Sequence, residues 1–237
     1  MFNNNFWNNV PRFCEHYFWN DGKEYMNTLS ALFISGLGLY GLYNNSPSFL
    51  INLLYSFLIL NGIFSSLNHW YEVEGWSYAD GATMLLPVTL GIILISNMYF
   101  DYFKIKGTLN IIRYIIYPIL IFIPLFLQIY TNYFIQTFLF LSLLLFSFIP
   151  VVLKIGKNKN MNFSKEIKLF LKGAGLVIIA AGFWFYTEPI CLSKVSNPNL
   201  IKFYSKLFFH VIWHILSALG FYFMIDSFDN FLKVIYK

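Results

Sequence analysis

The sequence is poor in charge. Of its 237 residues only 11% are Asp, Glu, Lys or Arg, while 58% are hydrophobic. A soluble domain of ordinary composition carries about 25% charged residues, so this chain has too few to solvate a soluble surface. It is also poor in cysteine. Cys14 and Cys191 are the two present, which excludes a disulfide-built scaffold and leaves one bond available if both thiols face an oxidising compartment. The first 26 residues contain no apolar h-region, so no cleavable signal peptide is expected and the first spanning helix is expected to direct insertion. Internal repeats and low-complexity tails are absent. The net charge of +5 does not point to nucleic acid, because the basic residues sit in short connections between apolar runs rather than in one patch.

What the chain does have is long apolar runs along its whole length. Seven of them approach the roughly 20 residues that cross a bilayer: 27–44, 48–69, 77–100, 108–128, 131–154, 167–187 and 203–227. The expected fold is an all-α, seven-transmembrane helix bundle. It would comprise an extracytoplasmic segment 1–26, a seven-span domain 27–228 and a short cytoplasmic tail 229–237. The stretches 155–166 and 187–202 are expected as the two long connections. If odd spans leave the side that holds the N-terminus, the far side receives Lys104, Lys106, Lys154, Lys157, Lys159, Lys165, Lys168, Lys233 and Lys237. Positive charge marks the cytoplasmic side. The N-terminus is therefore expected in the lumen or outside, in an endomembrane or the plasma membrane.

Ionisable residues at membrane depth are costly and tend to serve function. His210 and His214 stand four residues apart, so both imidazoles share one helical face. His69 closes the second span and Asp80 opens the third. Span direction carries all four to one end of the bundle, the end of the N-terminus. Three imidazoles and a carboxylate at one depth are the donor set of a catalytic zinc site, in which three protein ligands leave a position for water. The blander alternatives are an interfacial His69 and a helix-helix hydrogen-bonding role for the pair. His16 lies outside the spans and reads as an ordinary loop residue.

These residues resemble the alkaline ceramidase family, within a wider superfamily of seven-span hydrolases. Ser65 precedes His69 by four residues, Asp80 follows it by eleven, and HVIWHILSALGFY is similar to the family's last-span motif. The run FCEHYFWNDGKEYMNTLSAL is similar to its Cys-Glu opening and its Glu-x-x-Asn-Thr entry into the first span. The resemblance implies zinc held by His69, His210 and His214. It implies Asp80 as the general base that acts on or orients the attacking water. It implies Ser65 as a donor to the oxyanion, with Ser66 the competitor if the register slips. It also implies a calcium site in the N-terminal segment, matched here in part. Glu15 and Glu24 fit the pattern, Asn20 or Asp21 would complete it, and Arg12 and Tyr17 depart from it. Finally, it implies a Cys14–Cys191 disulfide tying the N-terminal segment over the site.

The function so implied is hydrolysis of the amide of ceramide-like lipids within the lipid bilayer, giving a sphingoid base and a fatty acid. Other members of that superfamily remodel acyl chains on lipid-anchored proteins or act as receptor-like proteins with structural zinc, and they share the constellation.

Overall fold

The computed structural model describes residues 13–44, 48–102, 107, 115–119, 121–122, 142 and 164–235. A 3-10 turn, Cys14–Tyr17, precedes six helices: α1 (Tyr25–Asn44), α2 (Phe49–Tyr71), α3 (Glu74–Tyr102), α4 (Ser164–Leu192), α5 (Pro198–Ser205) and α6 (Phe209–Ile235). The described residues are all-α, as expected. Of the spans expected at 108–128 and 131–154 only residues 115–119, 121–122 and 142 are described, and the lysines at 104, 106, 154, 157 and 159 lie outside the described residues.

Four described stretches are long and apolar enough to cross a membrane: Phe49–Tyr71, Gly75–Met98, Lys165–Leu192 and Pro198–Lys233. Helix α1, at 20 residues, is not among them. Its polar Asn27, Thr28, Ser30 and Ser35 dilute its apolar character. The outward faces are apolar as well. Leu171, Ile178, Ile179 and Phe183 stand exposed on α4, and Leu29, Leu32 and Leu39 on α1. A helix with a soluble surface would carry polar residues there.

The helices pack in the order α3, α2, α1, α6, α4, with the 3-10 turn and α5 against one end. Close approach between α4 and α6 depends on small residues, as helix packing in lipid generally does. A Cβ on Gly220 would stand 2.7 Å from the Gly173 carbonyl oxygen. Helix α2 ends where Glu72 turns left-handed at φ 51° and its N–H returns to the Asn68 carbonyl. Such an αL residue is a common helix stop. Only Glu72 and Val73 separate α2 from α3, so the end of one and the start of the other lie side by side.

Two boundaries differ from expectation. The connection drawn at 187–202 is largely helical. Helix α4 runs through Pro189 to Leu192, because a proline in the last turn removes a hydrogen bond where few remain to be made. Asn197 then caps α5, its side chain accepting from the N–H groups of Asn199 and Leu200 at 3.2 Å each, with Pro198 at the first helical position. The expected last span, 203–227, is accordingly split. The chain breaks at Lys206–Phe208, Phe208 takes φ 45°, and α6 starts at Phe209. It continues through Ile235, with Asp229 buried and paired to Lys233.

Candidate metal centre and hydrolytic site

Helix α2 places the site by continuing one face. Ile51, Leu54, Tyr55 and Leu58 bury that face in the main core, and the same stripe runs on as Asn61, Ser65, Asn68 and His69. The recurrence every three or four residues is that of a helix face. An apolar stripe thus becomes polar only in its last three turns. Helix α6 begins at Phe209, so His210 lies in its first turn and His214 one turn on. Asp80 lies in the second turn of α3.

The structure brings the three histidines together. Their ring centroids are 5.0 Å apart for His69–His210, 5.1 Å for His69–His214 and 4.5 Å for His210–His214. One nitrogen from each falls within 4.8 Å of the others. All three side chains are buried. Buried imidazoles ordinarily satisfy their polar atoms, yet Nε2 of His69 and Nδ1 of His210 have no hydrogen-bond partner. The remaining contacts fix tautomers. Nδ1 of His69 lies 2.5 Å from the Glu24 carboxylate, and Nδ1 of His214 lies 2.8 Å from the Ser30 hydroxyl. Ser30 itself donates to the Asn27 carbonyl at 3.0 Å, so it accepts from His214. Both rings therefore carry the proton on Nδ1 and present a lone pair on Nε2. That is how outer partners orient metal-binding histidines. The donor set fits zinc.

Asp80 opens on a cavity that is also lined by Ser65, Asn68, His210 and His214. Its carboxylate accepts from the Asn61 amide at 3.0 Å, from Asn68 at 3.3 Å, and from the Ser65 hydroxyl. Ser65 faces the cavity, whereas Ser66 donates to the Thr28 carbonyl at 2.9 Å and joins α2 to α1. Apolar walls come from Phe13, Met84, Trp184 and Trp213. The Phe13 ring packs 4.1 Å from His210 and 4.9 Å from His69, and Trp184 meets His210 edge-on at 5.2 Å.

The N-terminal segment closes this end. Cys14 and Cys191 form a disulfide with Cα atoms 6.0 Å apart. The Phe13 and Cys14 N–H groups donate to Glu24 at 2.9 Å and to Glu188 at 2.5 Å. Glu15 accepts from the Met26 and Asn27 N–H groups and from the Trp19 indole. Burial raises the Glu15 carboxyl against these donors, and it pushes the Glu24 carboxyl up to about 7.

The possible calcium ligands Glu15, Glu24 and Asp21 form no single cluster among the described residues. Glu24 is turned to His69, and Glu15 is enclosed by three donors. Asp21 is exposed, held by the Tyr25 hydroxyl at 2.6 Å and lowered by that bond. Asn20 is likewise exposed. Among the described residues the second group able to share an ion is His16, Glu24 and Glu72. There His16 pairs with Glu72 at 2.8 Å.

Sequence reasoning missed Glu24 and Ser30 as partners of the histidines, and Asn61 and Asn68 as partners of Asp80. The asparagines carried a signal, since positions 61, 65, 68 and 69 follow helical spacing. Nothing local linked Glu24 to His69.

An apolar helical bundle thus buries three converging imidazoles, able to hold a metal ion, beside a donor-held carboxylate. The sequence model of the Ceramidase family matches residues 12–236. The chain belongs to that family. No curated protein matches it.

Proposed function

We propose that this protein is an integral-membrane, zinc-dependent amidohydrolase that cleaves ceramide-like lipids to a sphingoid base and a free fatty acid. The observation that carries the reading is the buried cluster of His69, His210 and His214, with unpartnered nitrogens, on the same cavity as Asp80 and Ser65. Family membership supports ceramide as the substrate class.

His69, His210 and His214 would hold the metal. Zinc bound there supplies Lewis acidity that polarises a carbonyl and acidifies water. Asp80, held by three donors, accepts the proton of the attacking water and returns it to the departing nitrogen. Ser65 turns its hydroxyl from Asp80 to the oxyanion, where a preorganised donor contributes roughly 3 kcal/mol. Phe13, Trp184 and Trp213 keep bulk water from the reacting centre. The outward apolar faces allow a lipid to reach the cavity from the bilayer. In this reading the bundle has seven spans, with the site and N-terminus lumenal or extracytoplasmic and the C-terminus cytoplasmic.

The test is metal analysis together with ceramide turnover by the purified parent and by His210→Ala. The parent is expected to contain zinc and release fatty acid, and the variant to lose both. Full zinc and full turnover in His210→Ala would refute the assigned site. A zinc-loaded parent that hydrolyses neither ceramide nor phospholipid would refute the enzyme reading.

A further inference from the structure

Asp80 is an acid in an apolar bundle with no basic side chain against it among the described salt bridges. Something else must hold it. Asn61 directs one amide nitrogen at Oδ1 of Asp80 at 3.0 Å and at the Asp80 carbonyl at 3.1 Å. Asn68 reaches Oδ2 at 3.3 Å. Both asparagines are buried. The Asn61 amide is placed in turn by Thr83, whose hydroxyl is 3.3 Å away and donates to the Ala79 carbonyl at 2.8 Å.

We propose that Asn61 and Asn68 are positioning residues, a fork of two neutral amides on α2 that grips the two oxygens of Asp80 and sets the carboxylate against the three-histidine cluster. The inference rests on the reading of Asp80 as the group that takes the proton.

The chemistry of the amide suits this task. A lysine or arginine would neutralise the carboxylate and compete for its lone pairs. An amide donates to the anion, adds no net charge, and occupies only part of each oxygen's acceptor capacity. The orientation of each amide is also determined, because a flipped carbonyl would face a carboxylate. The fork has a geometric consequence as well. Asn68 is followed directly by His69, and Asn61 stands two turns earlier on the same helix. Fixing Asp80 to both therefore fixes α3 against the helix that carries one of the three histidines. Ser65 lies between the two asparagines on the same face, so donor and base share one frame.

The experiment uses the full-length purified protein with Asn61→Leu, Asn68→Leu and Asn68→Gln. Zinc content, kcat and KM for a ceramide substrate are read together with the Asp80 carboxylate stretching bands, which parent-minus-Asp80→Asn infrared difference spectra identify. In the two leucine variants zinc content is expected to hold, kcat to fall by about 10–100-fold, as loss of an outer-shell partner typically does, and the carboxylate bands to move. KM is expected to stay within about threefold, because the interaction acts on the base and not on substrate binding. Asn68→Gln, which keeps an amide donor, is expected to recover much of the loss. Unmoved bands, or kcat within about twofold of the parent in both leucine variants, overturn the proposal. Loss of zinc in those variants overturns it too, in favour of a purely structural role. A parent inactive on ceramide refutes the hydrolase reading instead, and the infrared bands then decide the fork alone.

Discussion

Glu24 offers the most demanding check on how the histidine cluster is held. Its carboxylate is 1% exposed and accepts from the Phe13 N–H at 2.9 Å, the Asn27 amide at 3.0 Å and Nδ1 of His69 at 2.5 Å. Glu24→Ala would orphan three donors, each at about 1–3 kcal/mol. Part of that loss is offset, since burial already works against the charged carboxylate and raises its pKa to about 7. A net destabilisation of about 2–4 kcal/mol follows from these opposing effects. For a chain of this size that lowers the melting temperature by roughly 5–15 °C. His69 would also lose the partner that keeps its proton on Nδ1, and metal affinity should drop about 10–100-fold. Thermal melts and zinc retention against a graded series of chelators measure both effects. Glu24→Gln keeps an acceptor for His69 and should fall between parent and Glu24→Ala. Parent-like melting and parent-like zinc retention in Glu24→Ala would refute the claim that this carboxylate orients the ligand.

Three further outcomes are expected. Asp80→Asn keeps the shape of the side chain and should retain zinc while losing about 100-fold or more in turnover, measured by fatty-acid release. Joint replacement of Cys14 and Cys191 by serine removes a link across 177 residues and should destabilise the protein by about 2–5 kcal/mol, with loss of the mobility shift between reduced and non-reduced gels. Gly220→Leu drives a side chain into Gly173 and Val177 across the α4–α6 contact. It should lower the melting temperature through overpacking worth about 1–3 kcal/mol, while a leucine at the uncrowded Gly182 should not.

The parts of the site that rest on helical spacing and chain direction were legible in the sequence. His210 and His214 had to share a face. Span direction brought His69 and Asp80 to the same end, and the structure seats the three histidines with nitrogens in mutual reach. The split before α6 was less accessible. An apolar run reads the same whether or not one residue, Phe208, adopts a left-handed backbone. Helix α4 outlasted its expected end because a proline near a helix terminus stops little. The contact of Glu24 with His69 was hidden for a different reason. A carboxylate just ahead of a span offers the same sequence signal whether it meets calcium or an imidazole, and only the packing of α1 on α2 decides.

The Phe13 ring against two of the three imidazoles carries an implication for biogenesis. The cluster joins His69 to His210 and His214, which follow it by more than a hundred residues, and the residue that covers it precedes all three. The cover can therefore settle only once α6 is in place, and a metal would have its readiest access before then. If the cluster holds a metal as proposed, its exchange would require the segment at Phe13 to lift again, so the rate of metal release should report on the mobility of that segment.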